Sequence, residues 1–358
     1  MMTTRRAFSF SLLLLAAGAV WAPARAGTPA QPPAARIRLE PLYDETYRPQ
    51  YHFTPARNFL SDPNGLVYYD GEYHLFYQYF PYPFEPPITG PTQRWAHAVS
   101  TDLIHWEKLP IAIEPHGGGN IWSGSAVVDW QNSSGLQAGN EPPLVAFYTW
   151  QKDFTQRLVY SNDRGRTWSE YAGNPVVPNL ARAHDRDPKV FWHEPTKRWV
   201  MVLFARNFVF LLSDDLKQWE KVSEIRPPSG ECPDMFELPV DGNPDRKKWV
   251  LLGATGEYDV GTFDGTRFTK LHGPHVTDWS GPQLKQFYAT QTWSDIPDED
   301  GRRIQIACMR DRPRMHRDMP FRNQMTIPCS LSLRTTPEGV RLFRWPVREF
   351  EQLRRETR

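Results

Sequence analysis

Residues 65–79 read GLVYYDGEYHLFYQY. Two aromatic and aliphatic runs, which favour extended backbone, flank Asp70-Gly71, a two-residue turn of the kind that closes β-hairpins. The same plan returns four times. It is carried by SGSAVVDW (123–130) with PLVAFYTW (143–150), by PKVFWHEPTKRWVMVLF (188–204), by DMFELPVDGNPDRKKWVLLGA (234–254) and by YATQTWSDIPDEDGRRIQIACM (288–309). The hairpins start near residues 62, 124, 187, 234 and 289, separations of 62, 63, 47 and 55 residues. Each interval is long enough for one four-stranded blade. Five such units predict an all-β, five-bladed propeller around a central channel. A β-sandwich also has many short strands, but it does not call for units of this length.

Composition agrees. The 358 residues include 34 Pro and 14 Trp, and 13% are aromatic. An interior proline costs a helix about 3 kcal/mol, so this proline load argues against a helical protein. Lys plus Arg number 42 and Asp plus Glu 41, a formal charge of +1, which offers nucleic acid or an anionic surface no electrostatic footing. At the N-terminus, TTRRAF precedes the apolar run SFSLLLLAAGAVWA and then ARA. This is the pattern of a cleavable signal peptide, and Arg5-Arg6 gives it twin-arginine form. The expected organisation is a signal peptide over 1–26, a disordered Pro/Ala-rich leader over 27–36, a propeller over 37–353 and a tail over 354–358. No later run reaches the roughly eighteen apolar residues of a membrane span. The expected location is therefore the periplasm or the medium, with no membrane attachment after cleavage. Cys232, Cys308 and Cys329 form neither a disulfide framework nor a zinc pattern, so buried free thiols are expected.

A second repeat pairs Ser-x-Asp with a following Trp: STDLIHW (100–106), SNDRGRTW (161–168) and SDDLKQW (213–219). The middle copy has the form of an Asp-box, a turn in which Ser and Asp side chains bond nearby backbone amides. Residues 62–65, Asp-Pro-Asn-Gly, likewise read as a type I turn.

That turn holds an acid at a telling place. In a propeller the innermost strands all run the same way, so equivalent positions converge at one end of the channel. The first hairpin is preceded by Ser61-Asp62-Pro63, the third by Arg186-Asp187-Pro188 and the fourth by Glu231-Cys232-Pro233. Three carboxylates at one structural station repel, and their pKa values must separate. Paired carboxyls in different protonation states are what glycoside cleavage requires. Arg186 would supply compensating charge and a donor fork.

FLSDPNGL (59–66), YHLFYQY (73–79), WAHAVSTDLIHW (95–106), WSGSAVV (122–128), RDPKVF (186–191) and GECPDMFEL (230–238) resemble, in order, the motifs of glycoside hydrolase family 32. That family includes levanases, inulinases and invertases. The likeness runs from about Tyr51 to Leu353, and YDETYRPQYHFTPARNF (43–59) is most similar to the levanase and exo-inulinase branch. The resemblance implies Asp62 as nucleophile, Glu231 as general acid/base and Asp187 as transition-state stabiliser holding fructose hydroxyls. It implies a retaining mechanism, in which the two reacting carboxyls stand about 5–5.5 Å apart. No metal or organic cofactor is expected, and the substrates implied are fructans or sucrose. Further sugar contacts are expected from Ser61, Asn64, Gln78, Trp95, Trp122, Ser123 and Arg186.

Several residues read differently. Cys232 is expected to pack, and His97, His105 and His184 to be structural. Ser61 stands where the family usually has Asn, and Cys308 where a Trp is common and would wall the sugar pocket. The sequence ends in LFRWPVREFEQLRRETR where the family continues into a β-sandwich, so that domain is expected to be missing. The rival readings are a fructosyltransferase, whose covalent intermediate passes to sugar, and a non-catalytic carbohydrate-binding propeller. A sialidase would need an arginine cluster that the hairpin starts do not supply.

Overall fold

The computed structural model describes residues 43–81, 92–311 and 319–354. The predicted signal peptide and leader lie outside the described residues. Blade 1 comprises β1 (Asn58–Tyr69), β2 (Glu72–Phe80), β3 (Arg94–Ser100) and β4 (Glu107–Ile113). Blade 2 comprises β5 (Ile121–Val128), β6 (Leu144–Trp150), β7 (Thr155–Ser161) and β8 (Ser169–Glu170). Blade 3 comprises β9 (Arg186–His193), β10 (Arg198–Ala205), β11 (Asn207–Ser213) and β12 (Glu220–Ile225). Blade 4 comprises β13 (Asp234–Val240), β14 (Asn243–Leu252), β15 (Glu257–Phe263) and β16 (Phe268–Val276). A short helix α1 (Ser280–Leu284) leads to β17 (Phe287–Thr292) and β18 (Arg303–Met309) of blade 5. After β19 (Phe321–Arg322) and β20 (Gln324–Met325), β21 (Cys329–Thr336) and β22 (Gly339–Pro346) complete that blade. All five predicted hairpins are the two innermost strands of a blade.

Strand alternation explains the ring. Side chains point alternately to the two faces of a strand, and each blade has a neighbour on both sides, so both faces are apolar. On β10, Trp199, Met201 and Leu203 pack toward blade 2, beside Phe147 and Leu158. Val200 and Val202 face blade 4, against Met235, Leu251 and Phe263. Equivalent apolar seams join blades 1 and 2, 4 and 5, and 5 and 1. Closure also uses backbone pairing: β19 runs parallel to the start of β1, with Asn58 opposite Phe321.

The Asp-Pro-Asn-Gly segment departs from expectation. It is not a turn between elements but part of β1, which carries register shifts on both sides of Pro63-Asn64. Gly65 takes φ +55°, and a Cβ there would meet the Phe76 ring at 2.5 Å. Asn64 bridges the irregularity: its Nδ2 donates to the Asp62 carbonyl and its Oδ1 accepts from Gly124 N–H. A bulge satisfies the same Pro and Gly preferences as a turn while keeping the strand paired.

The channel is filled with polar side chains. Lys189 Nζ lies 3.0 Å from Asp234 Oδ1 and donates to the Thr292 carbonyl. Asp234 Oδ2 accepts from Thr292 N–H. Ser125 accepts from Val190 N–H and donates to the Pro188 carbonyl, and Gln291 Nε2 donates to the Gly124 carbonyl. These contacts stitch together innermost strands of different blades.

Candidate active site

Asp62 and Asp187 converge on one thiol, and Glu231 joins them through Arg186. Cys232 Sγ donates to Asp187 Oδ2 at 3.4 Å and lies 4.0 Å from Asp62 Oδ2. The Cys232 amide also donates to Asp187 Oδ2, at 3.0 Å. The expectation that Cys232 merely packs is therefore corrected: its S–H sits between two acids. Burial, followed by the charges of Asp187 and Asp62, holds that thiol well above its ordinary pKa, which keeps it a donor.

Each carboxylate is aimed differently. Asp62 Oδ1 accepts from Ser61 Oγ at 2.9 Å and Oδ2 from Ser123 Oγ at 2.8 Å. Gln78 Nε2 donates to Ser123 Oγ at 2.6 Å, which leaves the Ser123 O–H to donate its hydrogen bond to Asp62 Oδ2. Glu231 Oε2 accepts from Arg186 Nε at 3.0 Å and Nη2 at 2.5 Å. The same guanidinium lies 3.6 Å from Asp187 Oδ2. The Glu231 side chain is 27% exposed against 6% for Asp187. The most open carboxyl is thus the one expected to exchange protons with a leaving group and with water.

The expected pKa separation falls on Asp187. Burial drives its carboxyl up to about 7, the charges of Glu231 and Asp62 add to the rise, and Arg186 and the Cys232 amide oppose it. Its backbone is also constrained. Asp187 has φ +64°, Glu231 +40° and Cys232 +44°, a left-handed region that L-residues with side chains visit at a cost. Tertiary contacts hold Asp187 there: its N–H donates to Thr149 Oγ1, Thr149 donates to Gln156 Oε1, and Gln156 Nε2 donates to the Asp185 carbonyl.

Two expected sugar contacts are corrected. Trp95 is completely buried in the seam between blades 1 and 2, and its Nε1 donates to the Trp122 carbonyl. Asn64 is also completely buried, and its amide is committed to backbone. Both position the site from behind, because the ring of blades covers them. Trp122 is half-buried and packs against Phe154, which stacks on the exposed His184. His97 is buried, accepts or donates to His74 at 3.0 Å and stacks on Phe76 at 3.9 Å, a structural setting. Cys308 is fully buried in the seam between blades 5 and 1 rather than on a pocket surface. Burial and the charge of Asp62 push its thiol to about 12.

Sequence reading missed Arg310. Its Nη2 lies 3.5 Å from Asp62 Oδ1, and its guanidinium covers the Tyr288 ring at 3.4 Å. The signal was within reach, since Arg310 is two residues beyond Cys308 in CMRD. Thr149 carries no local signal; only the fold brings it to Asp187.

Comparison with known proteins gives a consistent picture. The family model of the glycosyl hydrolases family 32 N-terminal domain matches residues 52–346. A levanase of Bacillus subtilis is 49% identical over 337 residues, covering 87% of this chain and 48% of the levanase. An extracellular exo-inulinase of Aspergillus niger is 35% identical over 360 residues, covering 85% of this chain and 65% of the inulinase. The crystal structure of an exo-inulinase from Aspergillus awamori superposes with a TM-score of 0.75 at 34% identity, covering 85% of this chain and 68% of that one. The chain thus spans about half the length of the levanase that it matches.

Proposed function

The chain belongs to glycosyl hydrolase family 32, and from that premise we propose that it is an exported, retaining β-fructofuranosidase that releases terminal fructose from fructans or sucrose. One observation carries the reading: acids from three blades gather at one place, Asp62 and Asp187 at the Cys232 thiol and Glu231 joined to Asp187 through Arg186. Pure binding has no need of so costly a gathering of like charge.

In this reading Asp62 is the nucleophile. Its Oδ bonds to the anomeric carbon as the bond from that carbon to the leaving oxygen breaks, and Glu231 gives its proton to that oxygen. Water then attacks the same carbon, Glu231 takes the water's proton, and the Asp62 ester bond breaks. Ser61, Ser123 and Arg310 hold the nucleophile's carboxylate in one orientation. Asp187, in its dry and constrained position, meets the fructosyl hydroxyls. Arg186 keeps Glu231 and Asp187 at a common site.

The test is fructose release from levan, inulin and sucrose by wild type and by Asp62→Ala. Release by wild type alone supports the proposal. Kestose-type products would favour a transferase instead, and folded protein releasing nothing would favour a binding module. Export rests on the twin-arginine segment and on the extracellular inulinase relative. It is tested by sequencing the N-terminus of protein recovered outside the cytoplasm: cleavage after Ala26 is expected, and an intact N-terminus on cytoplasmic protein would refute it.

A further inference from the structure

Arg310 gives the proposed nucleophile a cation of its own. Its Nη2 lies 3.5 Å from Asp62 Oδ1, and the two side chains are 18% and 12% exposed, so water and salt screen the pair weakly. The guanidinium is held in place. It stacks on the Tyr288 ring at 3.4 Å, and the Arg310 amide donates to the Gln286 carbonyl at 2.9 Å. Cys308, which also neighbours Arg310, has its thiol pushed to about 12 chiefly by burial and stays neutral, so it does not compete for the charge. Arg186 is committed elsewhere, to Glu231 and Asp187. The site therefore divides its positive charge: one guanidinium serves the acid/base and the stabiliser, and another serves the nucleophile.

The contacts to Asp62 respond differently as the reaction proceeds. When an Asp62 oxygen bonds to the anomeric carbon, the carboxylate becomes a neutral ester. The hydroxyls of Ser61 and Ser123, which donate to Asp62, can go on donating, because ester oxygens also accept. The attraction of Arg310 is Coulombic and is lost with the charge. Arg310 thus stabilises the free carboxylate over the ester. It makes Asp62 a weaker nucleophile in the first step and a better leaving group in the second.

We propose that Arg310 is a positioning residue that acts through Asp62 to keep the fructosyl ester from accumulating. The inference rests on the fructosidase reading above and adds to it the balance between the two steps. In the second step a water oxygen bonds to the anomeric carbon and the water's proton passes to Glu231. The bond from that carbon to the Asp62 oxygen breaks, and its electron pair returns to the carboxylate beside Arg310. The step that restores the ion pair is the favoured one, so ester formation limits turnover.

The experiment follows glucose and fructose released from sucrose by wild type, Arg310→Gln and Arg310→Lys, in the first turnover and in steady state. Wild type should show no burst of glucose. Arg310→Gln keeps a donor and loses the charge. It should lower kcat about tenfold and KM by a similar factor, with kcat/KM within about threefold of wild type. The reason is that kcat/KM reports ester formation, while kcat then reports ester breakdown. A glucose burst should appear in this variant, and acid quenching should leave a fructosyl ester on the Asp62 peptide by mass spectrometry. Arg310→Lys keeps the charge and should stay within about threefold of wild type in both constants. A glucose burst from wild type would overturn the proposal, and that measurement needs no variant to fold. So would an Arg310→Gln that loses kcat/KM in step with kcat, at unchanged KM and without a burst. Either result leaves the hydrolase reading standing. A folded wild type that releases neither sugar sinks both.

Discussion

Two sets of acids in this molecule occupy repeated stations, with opposite fates. Asp102, Asp163, Asp215 and Asp264 lie between the third and fourth strands of blades 1 to 4. Each accepts from backbone N–H groups just downstream: Ile104 and His105, Thr167, Lys217 and Gln218, Thr266 and Arg267. At Asp102 burial pushes the carboxyl up, but the bonds from His105, Ile104 and Ser100 outweigh it and bring it down to about 2. Asp163, Asp215 and Asp264 are lowered as well. At the channel, Asp187 is raised to about 7, because burial and other acids dominate its surroundings. An acid surrounded by amides holds a turn, and an acid buried among acids holds its proton to higher pH, the condition that the proposed chemistry uses. Asp234 sharpens the rule, since it also sits on the axis yet is consumed by Lys189 and two amides. Place alone does not make a carboxylate reactive; its partners do.

The largest test of this contrast is Asp62→Ala, which should cost at least about a thousandfold in kcat while leaving the thermal midpoint close to wild type. A collapse of the fold instead would move Asp62 into the structural set. Next comes Lys189→Met, which strands Asp234 as a buried, uncompensated charge and should cost about 3–5 kcal/mol in urea unfolding. A neutral result would show that Asp234 is as tolerant of isolation as Asp187.

Asp187→Asn should abolish most activity yet stabilise the protein at pH 8, by about 2–4 kcal/mol. The sign follows from the raised carboxyl. The folded chain holds a proton that the unfolded chain releases from its ordinary range upward, so stability falls as pH rises toward about 7. His74 acts the other way: burial lowers it to about 4. Its contribution is fully present above its ordinary value near 6.5 and is lost as pH falls toward 4. Unfolding of Asp187→Asn across pH 4–7 should therefore expose a stability that climbs with pH, which the wild type masks. The smallest effect is expected from Asp102→Ala, about 1–2 kcal/mol of stability from lost turn bonds, with kcat unchanged. A loss of kcat there would blur the two classes.

Much was legible along the chain. The five hairpins, their spacing and the three acids before Pro are local patterns, because strand, turn and repeat are set by neighbouring residues. Three of the four turn acids were legible for the same reason. Asp264 escaped because Phe263-Asp264-Gly265-Thr266 lacks both the Ser and the Trp of the other copies, although its amide contacts are the same.

The linear order of residues determined that this protein is a ring of five four-stranded units carrying Asp62, Asp187 and Glu231 at the starts of three of them. Only the tertiary structure decided that DPNG is a bulge rather than a turn, that Trp95 and Asn64 lie behind the site, that Arg310 reaches Asp62, and that burial and neighbouring acids raise the Asp187 carboxyl. The reason is physical. Burial and Coulomb interaction depend on distance through space, and the groups that matter here stand tens to hundreds of residues apart in the chain.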